Sequence, residues 1–596
     1  MPAAAPATRR GTASSMEERR APYKVTREDD VAMATRDGVV LRADVYRPDG
    51  AGPWPVLLRR TPYGKRLNDL ASEFNEAHYF ASHGYVVVVQ DTRGRFSSEG
   101  AWYPLIHEGL DGYDAVEWAA RLPGSTGRVG TFGQSYGCII QYLTAAQRPP
   151  HLVTCVPTSG NAMSFENYWY HRGVLELGWM LSYFVNMAED VLRSQGRDAE
   201  MAELDAMKVD RSLRFSPLKD EALRHLPIND WIERLGDGAP FLEDVLYHSV
   251  EGPYWWANDL RRQLHDMDVP MLHIGSWYDI NTWDTPLLYG GLHSRALSEH
   301  ARRHQALFMG PWAHLLPYSQ PTSGGTGDID FGREAEVFLP AMCLRWFDHF
   351  LKGPGEGLPV PAVRLFVMGP NRWRDEEQWP PPGVVPTPWY LHSRGGANTL
   401  HGDGELSVDI PGDEPPDRFT YDPNNPVPSC GGHVVGGGVA DQRPNQARDD
   451  VLVYTSGPLE HDLEITGPVT MTLFAASSAV DTDFVVWLSD VRPDGYAQNL
   501  LETVVRGRFR DSYTVPELLD PGQVYAFELD LWNISHVVKA DHRLRVHVTS
   551  SDFPRWERNL NTGGRLGEEA EMRSADQTVF HDGARPSHIR LPVVPG

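Results

Sequence analysis

The sequence predicts an α/β core, interrupted by a helical insert and followed by an all-β domain. Three observations carry this reading. Near the N-terminal side, β-branched apolar runs such as Tyr85-Val86-Val87-Val88-Val89-Gln90-Asp91 alternate with stretches of helical spacing, the mark of a parallel sheet covered on both faces. From residue 161 to about 248 the text is helical and rich in aromatic residues, with no clear strand. Beyond residue 357 short strands are separated by Pro, Gly, Asn and Asp turns, and almost no helix is signalled, which points to a sandwich or jelly roll.

Taken in order, residues 25–46 read as a hairpin turning at Arg36-Asp37-Gly38. Residues 56–60 form a buried strand that runs into the loop Thr61-Pro62-Tyr63-Gly64-Lys65. A helix over 73–83 is stopped by Gly84, a residue suited to the left-handed position after a helix. The central strand 85–91 follows, then a helix over 111–122 ended by Pro123. A short strand, 129–132, leads through a glycine-rich turn into a helix at 139–146, and 152–157 is the next strand. After the insert, strand text returns at 269–275 and 305–310, and an amphipathic helix at 341–351 precedes the linker Gly353-Pro354-Gly355-Glu356-Gly357. The strands expected in the last domain include 363–367, 469–474, 484–488, 524–531 and 543–548. The expected division is a disordered tail at 1–24, core at 25–145, helical cap at 146–245, core again at 246–352, and a jelly-roll domain at 356–596.

A chain of 596 residues is too long for one hydrophobic core. Hydrophobic residues at 41% and charged ones at 23% are those of an ordinary globular protein. The net charge of −25 argues against nucleic acid or an anionic membrane as partner, since both attract a basic face. No apolar run is long enough to span a bilayer. Cys138, Cys155, Cys343 and Cys430 have neither metal-ligand spacing nor the density of a disulfide framework, so free thiols in the cytoplasm and no metal or cofactor are expected. Arg9-Arg10 is followed by no apolar stretch and is not read as an export signal. The expected partner is a small molecule, and self-association is left open.

The chemistry centres on Gly133-Gln134-Ser135-Tyr136-Gly137, the Gly-x-Ser-x-Gly pattern of a nucleophile elbow, set between strand and helix as that turn requires. A serine nucleophile needs a base, and the base needs an acid to fix its tautomer. In hydrolases with this elbow the chain order is Ser, acid, His. Asp279 lies four residues beyond Gly275, and His314 four residues beyond Gly310, each just past a predicted strand. Asp284 and His293 compete, but fall in helical text. For an oxyanion hole, the elbow supplies the Tyr136 backbone N–H. Tyr63, in the loop after an early strand, offers a phenol that is equally readable as a packing residue.

Several stretches resemble the family containing cocaine esterase, α-amino-acid ester hydrolases, glutaryl-cephalosporin acylases and X-prolyl dipeptidyl-peptidases. They are Arg59-Arg60-Thr61-Pro62-Tyr63, Asp91-Thr92-Arg93-Gly94-Arg95, Ser98-Glu99-Gly100, Asp111-Gly112-Tyr113-Asp114, the elbow, and the segments 275–279, 311–314 and 346–353. Asp552-Phe553-Pro554-Arg555-Trp556 and Asn559-Leu560-Asn561-Thr562-Gly563 extend the likeness into the last domain. The resemblance implies an α/β-hydrolase core with a helical cap and a C-terminal jelly roll. It implies Ser135, Asp279 and His314 as catalytic triad, with the Tyr63 hydroxyl and the Tyr136 N–H as oxyanion hole.

Relatives that grip an α-ammonium group resemble one another in carrying acidic residues directly after the triad aspartate. This chain has Ile280 and Asn281 there. Glu166 and Glu176 are the remaining carboxylates that the cap offers. Phe165, Trp169, Tyr170, Trp179 and Asn281 are the candidate substrate contacts, suited to a neutral apolar or aromatic acyl group; the aromatic ones read equally as helix packing. The expected function is a metal-free serine hydrolase of carboxylic esters or amides working through an acyl-enzyme. The alternative is an X-prolyl dipeptidyl-peptidase or an α-amino-acid ester hydrolase or acylase. From another class stands a carbohydrate-binding protein with a decayed hydrolase core.

Overall fold

The computed structural model describes residues 22–66, 76–208, 218–314, 327–354 and 356–595. Nearly all of the expected N-terminal tail, residues 1–21, lies outside the described residues, as does the start of the helix expected at 73–83. Strands β1 (Val25–Ala34) and β2 (Val40–Pro48) form the expected hairpin. The core sheet continues with β3 (Trp54–Thr61), β4 (Val86–Asp91), β5 (Ser125–Gln134), β6 (Leu152–Thr158), β7 (Met271–Tyr278) and β8 (Gln305–Ala313). Two more strands, β9 (Val363–Val367) and β10 (Arg372–Glu376), complete ten, in the order β1-β2-β4-β3-β5-β6-β7-β8-β9-β10. From β4 across to β9 all neighbours run parallel.

The apolar runs are continuous because the sheet is buried on both sides. Val86 and Val88 join the hydrophobic cluster that includes α2 (Glu108–Ala120) and α3 (Tyr136–Ala146). Val87 and Val89 join the cluster on the other face, with α1 (Glu76–Ser82) and, late in the chain, the helix Leu339–Phe347. None of the four is more than 4% exposed. Each such burial is worth about 1.5–3 kcal/mol, so a charged residue at any of them would break the layer it faces.

The helical insert leaves the sheet after β6 and returns at β7. Its longest helix is α4 (Leu177–Ser194). Residues 152–158 were expected inside a cap at 146–245, but they pair with β5 and β7 and so belong to the sheet. The insert occupies residues 159–270 instead, and its aromatic segment 161–169 is loop rather than helix.

The C-terminal domain is an all-β unit with an eleven-stranded, largely antiparallel sheet, in which Leu463–Ser477 pairs with Tyr525–Val538 and Asp483–Val491 with Ala497–Arg506. Residues 363–367, expected in this domain, are β9 of the core sheet. The reason is burial: Val363, Leu365, Phe366 and Val367 are fully buried, and β9 covers the edge that β8 would expose. The domain's own first strand is Val385–His392.

Candidate active site

Ser135 stands between β5 and α3 with φ 57° and ψ −120°, a backbone strain of about 1–3 kcal/mol that the surrounding turn must hold. Gly133 lets the turn close. Its φ is +150°, and a Cβ there would come 3.0 Å from the Gly137 carbonyl oxygen. The Ser135 amide donates to the Thr158 carbonyl at the end of β6, at 3.0 Å. Cys138 is one turn into the helix, and burial pushes its thiol well up, so it stays protonated and is no rival nucleophile.

Three strand ends bring the polar groups together. His314 Nε2 lies 3.0 Å from Ser135 Oγ, and His314 Nδ1 lies 3.0 Å from Asp279 Oδ1. Because Nδ1 faces a carboxylate, it carries the proton. That leaves the Nε2 lone pair to accept from the Ser135 hydroxyl, the tautomer a general base needs. Asp279 is fully buried and also accepts from the Asn281 backbone N–H at 2.8 Å. Gln134 Nε2 donates to the His314 carbonyl at 2.5 Å, tying the base to the strand that carries the serine.

Sequence reasoning missed Ser159. Its hydroxyl donates to Asp279 Oδ2 at 2.5 Å and sits 2.9 Å from His314 Nδ1. Its position just past β6 was the available signal, and no motif marks it. The competitor Asp284 is used elsewhere. It accepts from Asn161 and Asn167 side-chain amides at 2.9 and 2.6 Å and from the Ala162 N–H at 3.1 Å, anchoring the start of the insert.

The Tyr63 hydroxyl faces the side chains of Ser135 and Tyr183, and burial raises its pKa, so it is a donor at any working pH. Arg95, 2% exposed, donates from Nε to the Pro62 carbonyl at 2.9 Å and stacks 4.9 Å from Trp102, which fixes the Tyr63 loop. Tyr136 turns its phenol away. The hydroxyl donates to Glu108 at 2.8 Å, and Glu108 pairs with Arg60 at 2.9 Å, so the side chain pins the first helical residue whose N–H opens the helix. A helix N-terminus and a phenol are both suited to a developing oxyanion.

The expected substrate contacts divide. Trp169 and Trp179 stack at 4.9 Å, Tyr183 lies 5.8 Å from Trp169, and Tyr183 links this cluster to Tyr63. The Trp179 indole N–H is buried with no hydrogen-bond partner among the described residues. Phe165 and Tyr170 stack on each other at 4.8 Å and pack with Trp255; the Tyr170 hydroxyl donates to the Val245 carbonyl at 3.0 Å. These two serve the interior of the insert. Asn281 likewise does not offer its amide to a ligand: Nδ2 donates to the Ser159 carbonyl at 3.0 Å, and Oδ1 accepts from Asn161 at 3.1 Å. It braces the Ser159–Asp279 contact. Of the two cap carboxylates, Glu166 pairs with Arg261 at 2.9 Å, and Glu176 accepts from Trp556 Nε1 at 2.8 Å with Arg555 at 3.8 Å.

A groove of about 410 Å³ between insert and C-terminal domain, lined by Leu226, Tyr247, Phe509, Arg558 and Leu566, shares none of these residues. Among the described residues there is no cluster of ligating side chains that could hold a metal ion, and no helix is long and apolar enough to cross a membrane.

Residues 37–316 match the family described as X-Pro dipeptidyl-peptidase (S15 family), and residues 359–590 match its C-terminal non-catalytic domain. Cocaine esterase from Rhodococcus sp. (strain MB1 Bresler) is 36% identical over 588 residues, covering 95% of this chain and 98% of the relative. Among solved structures, an aminopeptidase from a marine sediment archaeon, Thaumarchaeota archaeon, superposes with a TM-score of 0.81 at 24% identity, over 98% of this chain and 99% of the other. An α-amino acid ester hydrolase superposes with a TM-score of 0.78 at 24% identity, over 99% and 100%. These last two bear on the fold alone. The chain belongs to the X-Pro dipeptidyl-peptidase (S15) family and is a serine ester hydrolase.

Proposed function

We propose that this hydrolase cleaves carboxylic esters with a neutral apolar or aromatic acyl group through an acyl-enzyme. The observation that carries the chemistry is the unbroken hydrogen-bond chain from Ser135 through His314 to Asp279. Ser135 Oγ attacks the ester carbonyl carbon while His314 Nε2 takes its proton. The tetrahedral oxyanion is held by the Tyr63 hydroxyl and the Tyr136 N–H. Collapse expels the alcohol, which receives the proton from Nε2, and leaves an acyl-Ser135 ester. Water then repeats the sequence and releases the acid. Asp279 stays ionised and steadies the imidazolium that forms in each half.

Neutral acyl groups are favoured because the nearby polar groups are drawn into the protein's own contacts. Glu166 is paired with Arg261, Glu176 gives one oxygen to the Trp556 indole while burial holds its carboxyl up at about 7, and Asn281 is committed to Ser159 and Asn161. A buried ammonium without a carboxylate partner is costly, whereas the Trp179 N–H calls for an acceptor. We place the enzyme in the cytoplasm, in keeping with four free cysteines, and take its C-terminal domain to be wound as a jelly roll.

The test pairs fluorophosphonate labelling with a substrate panel. Label should map to Ser135, and phenylacetate methyl ester should show kcat/KM at least about tenfold above phenylglycine methyl ester, roughly 1.4 kcal/mol at the transition state. Label on another serine overturns the chemistry. A faster phenylglycine ester or dipeptidyl-proline amide overturns the substrate class.

A further inference from the structure

Asp279 follows the last residue of β7, where the strand loses its regular partner. The β7–β8 ladder pairs Ser276 with Gly310 and Tyr278 with Ala313, so Pro311 and Trp312 stand opposite Trp277 alone and β8 carries a bulge there. A bulge disturbs the ladder beside it; Trp277 keeps one tie to the core sheet, from Nε1 to the Phe366 carbonyl of β9 at 2.7 Å, and the acid-bearing turn needs further support.

The support comes from the C-terminal domain. His433, fully buried, sets Nε2 2.6 Å from the Trp277 carbonyl oxygen. A carbonyl only accepts, so Nε2 carries a proton and donates. The imidazole is fixed in turn by Glu502, whose carboxylate lies 2.9 and 3.0 Å from His433 Nδ1 and accepts from the His433 backbone N–H at 2.7 Å. Burial opposes the charge on Glu502, but His433 and the Arg555 guanidinium outweigh it and hold the carboxyl down at about 2. The His433 ring also stacks on Tyr278, 5.7 Å between centroids at 18°.

The same domain grips the turn at two more points. The Tyr278 hydroxyl donates to the Asn499 carbonyl at 3.0 Å. Beyond the acid, Trp283 Nε1 donates to Asp530 Oδ2 at 2.9 Å, and the other oxygen of Asp530 accepts from the Trp532 N–H at 2.8 Å. Trp277 and Tyr278 belong to one hydrophobic cluster with Leu500, Leu529 and Trp532 of that domain.

We infer that the C-terminal domain is a working part of the active site, with His433 as the positioning residue that holds the acid-bearing turn 277–283 in place for Asp279. The inference rests on Asp279 being the triad acid. Losing the clamp lets Asp279 drift from His314 while the pocket walls, built by the insert, keep their shape. The consequence is a fall in kcat rather than a rise in KM.

The experiment uses the full-length protein. His433→Leu is expected to lower kcat by about 10–100-fold, in the range that a displacement of about 1 Å costs, with KM within about twofold. The rate of fluorophosphonate labelling at Ser135 should fall in parallel. His433→Gln, which can keep an N–H donor toward Trp277, should recover most of the loss. His581→Leu serves as control, since it removes a buried histidine of the same domain bonded to Asp417 and Glu414, away from the turn. It should leave kcat per folded molecule unchanged. A His433→Leu enzyme with wild-type kcat, or a loss matched by His581→Leu, overturns the proposal. Should His433→Leu fail to fold, Trp283→Phe carries the test: a lower kcat at unchanged KM supports the clamp, and wild-type kcat overturns it. Wild-type protein that does not label at Ser135 would instead overturn the reading of the site itself.

Discussion

The hydroxyl of Ser159 lies 2.5 Å from Oδ2 of Asp279 and 2.9 Å from Nδ1 of His314. One side chain at the end of β6 therefore sets the spacing between an acid carried by β7 and a base carried by β8. Ser159 holds φ 57°, and its carbonyl is tied by Asn281, so the hydroxyl has little freedom to turn away. Ser159→Ala should lower kcat about tenfold, the cost of one hydrogen bond to a charged group, with Ser135 still labelled. Steady-state kinetics check this. A loss under about twofold would mean that the Asn281 N–H and His314 suffice to orient the carboxylate.

Ser135→Ala, Asp279→Asn and His314→Ala should each leave a folded protein with kcat down by about 10⁴ or more, because the three act as a unit. The asparagine variant is the most telling. It keeps the shape of Asp279 but presents an amide where His314 Nδ1–H needs an acceptor with charge, and so favours the wrong tautomer. Circular dichroism with turnover measurements separates lost chemistry from lost fold.

Tyr63→Phe removes one hydroxyl that faces Ser135 and almost no volume. The expected result is kcat lower by about 10²–10³ with little change in KM, as for a lost oxyanion donor. A change under about threefold would make Tyr63 a packing residue and leave the second donor to be found elsewhere.

Glu176 and Asp552 lie buried beside Arg555 where the insert meets the C-terminal domain. Burial pushes each carboxyl up to about 7 against the pull of Arg555. The folded state therefore keeps protons that the unfolded chain releases above about pH 4. This contribution to stability is full below that pH and is lost as pH rises through about 7. Calorimetry of Glu176→Gln with Asp552→Asn should show Tm gaining on wild type between about pH 5 and 8. Parallel curves would mean that both groups ionise in the fold at their ordinary pKa.

What could be read from the sequence was what is local. The elbow is legible because a tight strand-to-helix turn demands glycine at Gly133, and the central strand because two-sided burial demands an unbroken run of valine. Asp279 and His314 were legible because both stand a few residues beyond predicted strand ends, and the structure brings them to Ser135. Other assignments needed the tertiary structure, since they depend on which surfaces meet. Residues 363–367 have the same short apolar text whether they extend the core sheet or begin the next domain, and only the open edge of β8 decides. Asn281 and Tyr170 have the composition of ligand contacts, yet each spends its polar atoms on the protein. Ser159 touches Asp279 across 120 residues of chain, and His433 touches Trp277 across 156. Periodicity and turn chemistry report on a few neighbouring residues, so contacts over such separations are set by packing of whole domains.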